Sequence, residues 1–129
     1  MTADLSQYRE LYLKTSQDLI IEMKTQLDKL KVTITDTAAI EVLHRTAHSL
    51  KSQSLVMGYQ QIGTVNRQLE ALFLLFKQKE LTITIEYIDM IIHIVEHIEK
   101  ALVLINSSEH EPDLDADIEM LKKHTNITS

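Results

Sequence analysis

Residues 37–77 read TAAIEVLHRTAHSLKSQSLVMGYQQIGTVNRQLEALFLLFK. Ile40, Leu43, Ala47, Leu50 and Ser54 recur there at steps of three and four, and so do Ile62, Val65, Leu69, Leu72, Phe73 and Phe76. That is the period of a helix with one apolar face. Between the two stripes stands Met57-Gly58-Tyr59. Glycine tolerates the left-handed backbone that ends a helix, so Gly58 is read as the break. The stretch predicts a helical hairpin, with one helix over 37–56, a tight turn, and a second helix over 59–79.

The same period continues outward. Leu5, Tyr8, Tyr12, Leu19, Met23, Leu27 and Leu30 predict a helix over 5–31, and Ile88, Ile91, Val95, Ile98, Leu102 and Ile105 predict one over 85–106. Residues 33–37 and 82–84 are β-branched and rich in capping side chains, so they read as linkers, the first ending in an N-cap. Pro112 suits the first turn of a short helix over 112–123. The acidic segment 109–117 is expected to be a solvated linker or helix start, the last five residues to fray, and Tyr8 and Tyr12 to pack at one end of the bundle. Four helices of about 20 residues with short connections predict an all-α, antiparallel up-down four-helix bundle over 1–107. Residues 108–129 follow as an acidic linker and a short fifth helix.

Composition agrees and excludes other classes. Only three of the 129 residues are Gly or Pro (Gly58, Gly63 and Pro112), against roughly 15 in an average protein of that length. Sandwiches and barrels need far more turn signals, and neither a dinucleotide fingerprint nor a Gly-rich phosphate loop can be written with two glycines. The absence of Cys removes disulfides, thiolate metal sites and thiol nucleophiles. The longest apolar run, residues 71–76, is far short of the ~20 residues a membrane span needs. No signal-peptide pattern opens the chain, so a cytoplasmic protein is expected. A net charge of −6 with scattered cations, and no Trp, argue against a nucleic-acid partner.

Chemistry concentrates beside the hairpin. Assigning 100° per residue puts His44, His48, Lys51 and Leu55 on a flank next to the core stripe of their helix. In an antiparallel pair, residues equidistant from the bend are level, and His48 and Glu70 share Tyr59 as midpoint. Their equal angular offsets place both on one seam or both facing away. On one seam they would form a His–Glu–Lys cluster. A neutral imidazole is a competent nucleophile that can carry a covalent group. A carboxylate on one ring nitrogen fixes the tautomer and frees the other nitrogen to attack. A nearby ammonium would offset the charge of an incoming phosphoryl group. Nothing in the chain would hold ATP, so such a site could pass a phosphoryl group on but not draw one from ATP unaided.

The run His44-Arg-Thr-Ala-His48-Ser-Leu50-Lys51-Ser52, continuing to Met57-Gly58-Tyr59, resembles the signature of histidine phosphotransfer (HPt) domains, and Leu69-Glu70 resembles the Leu-Glu of the family's next helix. The likeness covers about residues 5–106 and is greatest to the N-terminal phosphotransfer domain of CheA-type chemotaxis histidine kinases. It implies that His48 is phosphorylated, that Glu70 orients its ring, and that Lys51 is the cation on the phosphoryl side. His44, Ser52, Leu55 and Arg67 would belong to the face on which partners dock. His44 is read as a flank neighbour rather than a second acceptor. The implied partners are a histidine kinase catalytic domain, which supplies ATP and Mg²⁺, and a response-regulator receiver; the domain itself would be a monomer with no cofactor. Two positions depart from the family pattern. Ser52 stands where Gly is usual, and Arg67 stands where chemotaxis-type members usually carry His. Both favour the alternative, an HPt-like module that docks receivers without accepting phosphate.

His93-Ile-Val-Glu96-His97 spells H-x-x-E-H, in which two histidines one turn apart can share zinc with the Glu as base. The helical wheel puts both on the polar outer face beside Glu86, Asp89 and Lys100, where no cleft is evident. The motif is read as a surface pair, and no metal is expected.

Overall fold

The computed structural model describes residues 5–108 and 110–126. Residues 1–4, Glu109 and residues 127–129 lie outside the described residues, as does the Leu5 side chain, so the expected fraying from Ile127 onward and the part of Glu109 in the acidic segment are not among them. The described chain is all-helical and has no strand. Its helices are α1 (Leu5–Val32), α2 (Thr37–Val56), α3 (Gln60–Lys77), α4 (Ile85–Ser108) and α5 (Asp115–Thr125). They share one apolar core, in which α2 packs along α3, α1 lies against α2 and α4, and α3 also meets α5.

Several helix ends have a local cause. The Asp36 carboxylate accepts the Ala39 N–H at 3.0 Å and caps α2. The Thr84 hydroxyl accepts the Tyr87 N–H at 3.2 Å at the start of α4. At the end of α2 the Tyr59 N–H reaches the Ser54 carbonyl and the Gly58 N–H reaches the Leu55 carbonyl, while Gly58 takes a φ of 85°. This is a Schellman closure with glycine in the left-handed position. The same closure ends α3, where Glu80 N–H reaches the Leu75 carbonyl and Lys79 adopts a φ of 61°. That closure stops α3 at Lys77 rather than at the expected Lys79. Tyr59 likewise precedes α3 instead of starting it.

The hairpin stripes enter the core as the period requires. Ile40, Leu43, Ala47, Leu50 and Ser54 of α2 are buried, as are Ile62, Val65, Leu69, Leu72, Phe73 and Phe76 of α3. Burying each large apolar side chain contributes roughly 1.5–3 kcal/mol. The two helices run antiparallel. Lys77 pairs with Glu41 at 2.9 Å and His48 with Glu70 at 2.6 Å, and both pairs have Tyr59 as midpoint. Near the turn the helices approach closely, because a Cβ on Gly63 would run into the Leu55 side chain. Of the two tyrosines expected at the bundle end, only Tyr12 packs there. It stacks on Tyr59 with centroids 5.2 Å apart, and its hydroxyl bonds Ser54 at 2.8 Å. Burial raises its pKa to about 12. Tyr8 is 59% exposed, one turn before Tyr12 but beyond the edge of the core.

The segment after α4 is bound to the hairpin rather than free of it. The Glu111 carboxylate accepts the N–H groups of Gln61 and Ile62 at 2.9 and 3.0 Å, satisfying the start of α3. Gln61 in return accepts the Leu114 N–H at 2.8 Å. These bonds hold residues 111–114 across the start of α3. Asp113 then accepts the Asp115 N–H at 2.7 Å. The fifth helix therefore starts at Asp115, three residues after Pro112, and sends Leu114, Ile118 and Leu121 into the common core.

Candidate functional site

Of the two placements the wheel allows, the structure takes the seam. Asp36 and Gly58 fix the two ends of α2, and the Schellman turn fixes the start of α3. His48 and Glu70 then meet level across the hairpin, with His48 Nδ1 2.6 Å from Glu70 Oε2. An ionised carboxylate only accepts hydrogen bonds, so this contact puts the proton on Nδ1 and leaves Nε2 of a neutral ring with the lone pair. The His48 side chain is 57% exposed and the Glu70 side chain 19%. The bonded carboxylate is thus sheltered while the ring reaches solvent.

Glu70 also takes a second bond. Lys51 Nζ donates to Oε1 at 2.8 Å, so each carboxylate oxygen has its own donor. Partial burial pushes the Glu70 carboxyl up, but the bonds from Lys51 and His48, together with their charges, outweigh it and hold the group below the usual carboxylate range. Lys51 is therefore first a partner of Glu70. Its ammonium has three donors, and Glu70 uses one.

The other residues singled out from the sequence surround this triad. His44 lies half-buried one turn before His48. Burial, then the Lys77 charge, hold its ring below the usual imidazole range, against the opposing pull of Glu70 and Glu41. Ser52 is exposed one turn after His48 and lines a groove of about 440 Å³ with Tyr8, Leu11, Val56 and Met57. Leu55 lies half-buried over Gly63, and Arg67 is half-buried on α3, one turn before Glu70.

A second histidine–carboxylate pair joins α4 to α5. His97 Nδ1 is 3.0 Å from both oxygens of Asp117, a largely buried α5 carboxylate. His93 Nδ1 lies 2.8 Å from the Asp89 carbonyl, to which it donates. Among the described residues no group of three or more His, Asp and Glu is placed to hold a metal ion. The partner of His97 was missed in the sequence, because it depends on how residues 111–114 dock α5. The Gly63–Leu55 approach was missed too, although a glycine inside a helix is a signal for close packing.

No helix among the described residues is long and apolar enough to cross a membrane. A family model of the Hpt domain matches residues 7–122. The chain is also 24% identical over 96 residues to the chemotaxis protein CheA of Bacillus subtilis (strain 168). That alignment covers 74% of this chain and 14% of the relative, so the chain spans only a small part of that protein's length.

Proposed function

The chain belongs to the Hpt domain family, the histidine phosphotransfer modules of two-component signalling, and on that premise we propose that His48 is the residue that carries the phosphoryl group. The observation that supports this most is the bond between His48 Nδ1 and Glu70, since it directs the Nε2 lone pair outward from an exposed ring. In the forward step Nε2 attacks phosphorus, the N–P bond forms, and the P–O bond to the leaving group breaks. The donor is a kinase-bound ATP or a receiver aspartyl phosphate. The ring keeps its Nδ1 proton and gains positive charge, which the Glu70 carboxylate offsets. Attack by a receiver aspartate on the phosphohistidine reverses the bond changes and returns the neutral ring.

Lys51 has two uses in this reading. It keeps Glu70 ionised, and its remaining N–H groups stand one turn from His48, where an anionic group would be attached. Ser52, His44, Leu55 and Arg67 frame the face that kinase and receiver domains share. The four long helices form an antiparallel up-down bundle to which α5 adds a fifth, and the domain works as a cytoplasmic monomer. ATP and Mg²⁺ come from the kinase catalytic domain. The likeness to a chemotaxis kinase supports a place in chemotactic signalling.

Incubation with a histidine kinase catalytic domain, ATP and Mg²⁺ tests the assignment. The chain should gain an acid-labile phosphate, and His48→Gln should abolish it. Labelling that survives the substitution would overturn the role of His48. A folded chain that binds receivers but is never labelled would leave the docking-only module that Ser52 and Arg67 favour.

A further inference from the structure

The H-x-x-E-H run on α4 is not used by phosphotransfer, yet its two histidines are arranged in a particular way. His93 and His97 are one turn apart on an exposed face, so their rings can approach one ion. Each ring has Nδ1 engaged, His93 by the Asp89 carbonyl and His97 by Asp117. Metal-binding imidazoles typically carry that outer contact, a carbonyl or carboxylate on one nitrogen, because it fixes the tautomer and turns the other nitrogen toward the ion. Here it leaves Nε2 free on both rings. The surroundings are acidic as well. Asp89 is one turn before His93, Glu96 precedes His97, and Asp117 carries its charge behind the His97 ring, with Lys100 the cation one turn further on.

We propose that His93 and His97 chelate a borderline divalent cation, Zn²⁺ being the fitting case, through their two Nε2 atoms, with water filling the remaining positions. Imidazole is a usual zinc ligand, and a two-residue site on an open helix face binds the ion without building a hydrolytic cleft. The structure also says why the other histidine pair at this spacing, His44 and His48, does not compete. Lys51 occupies the carboxylate behind His48, and around His44 the Lys77 charge is set against those of Glu70 and Glu41. A cation is less favoured there than on α4.

The inference does not rest on the phosphotransfer reading, because its readout is metal uptake. The full chain, freed of metal and placed in a non-coordinating buffer, is titrated with Zn²⁺ by calorimetry, with helical circular dichroism as the check on folding. One Zn²⁺ per chain is expected. His93→Ala and His97→Ala should each weaken uptake at least about tenfold, and Asp117→Asn should weaken it by about tenfold through the His97 ring. The pair His44→Gln and His48→Gln should leave uptake unchanged. No saturable uptake, half an ion per chain, uptake that persists in folded His93→Ala and His97→Ala, or its loss in the α2 pair would each overturn the site.

Discussion

Among the described residues two imidazoles are gripped by carboxylates from a neighbouring helix, His48 by Glu70 and His97 by Asp117. The grips are alike in principle. In both a sheltered acid holds Nδ1 of a half-exposed ring and leaves Nε2 to the outside. The surroundings separate them. Behind His48 the carboxylate is shared with Lys51, whose ammonium keeps further donors one turn from the ring, so the flank is suited to an incoming anion. Around His97 stand Asp89, Glu96 and Asp117, with a second imidazole at His93 whose Nδ1 is held by the Asp89 carbonyl, and that flank is suited to a cation. A carboxylate–histidine pair therefore orients a ring but does not say what the ring is for. The nearby charge does.

Removing each ring in turn should break the comparison most sharply. His48→Gln should eliminate phosphoryl labelling by a histidine kinase catalytic domain, while His97→Gln should be labelled at the normal rate. Removing the carboxylates comes next. Glu70→Ala should slow labelling by about 10–100-fold, the usual scale for losing an orienting partner, and Asp117→Asn should leave the rate unchanged. Rapid labelling of Glu70→Ala would deny Glu70 its orienting role.

The two pairs also differ in what sets their register. His48 meets Glu70 because Gly58 closes the hairpin with a φ of 85°, whereas α5 reaches His97 through the bonds of Glu111 and Gln61. Gly58→Ala should cost about 1 kcal/mol by forcing a side chain into the left-handed region, seen as a fall in Tm of about 4 °C. An unchanged Tm would mean that the turn does not need its glycine.

Smaller effects follow from the charge around Glu70. Lys51→Met should slow labelling about two- to fivefold, in keeping with the modest strength of a solvent-reachable ion pair. Because the folded Glu70 pKa lies below its unfolded value, the stability it contributes is present above about pH 4.3 and fades as pH falls through the lower folded value. Acid titration of unfolding should show that loss in the parent chain and lack it in Glu70→Gln.

The sequence made the hairpin legible because both its signals are local. The stripes of α2 and α3 set which faces are buried, and one glycine between them fixed the level of His48 against Glu70. Which seam the pair would occupy was not legible, since equal offsets from two stripes fit either side, and only the packed helices choose. Lys51 illustrates a second limit. Its spacing put it near His48, but the oxygen it bonds depends on side-chain geometry across the hairpin. Pro112 illustrates a third. Its local preference for a first helical turn yields to Glu111, Gln61 and Asp113, whose bonds delay α5 to Asp115. Asp117 was read as part of a solvated acidic run for the same reason, because its partner on α4 is 20 residues away and is met only when α5 docks.

The central claim is that Glu70 makes Nε2 of His48 the phosphoryl acceptor. It is tested most directly by labelling the chain with imidazole ¹⁵N, phosphorylating it with a histidine kinase catalytic domain, and reading the phosphorus–nitrogen coupling by NMR. The geometry predicts coupling to Nε2 of His48 alone, with Nδ1 still bearing its proton. Coupling to Nδ1 of His48, or to the ring of His44, His93 or His97, would contradict it.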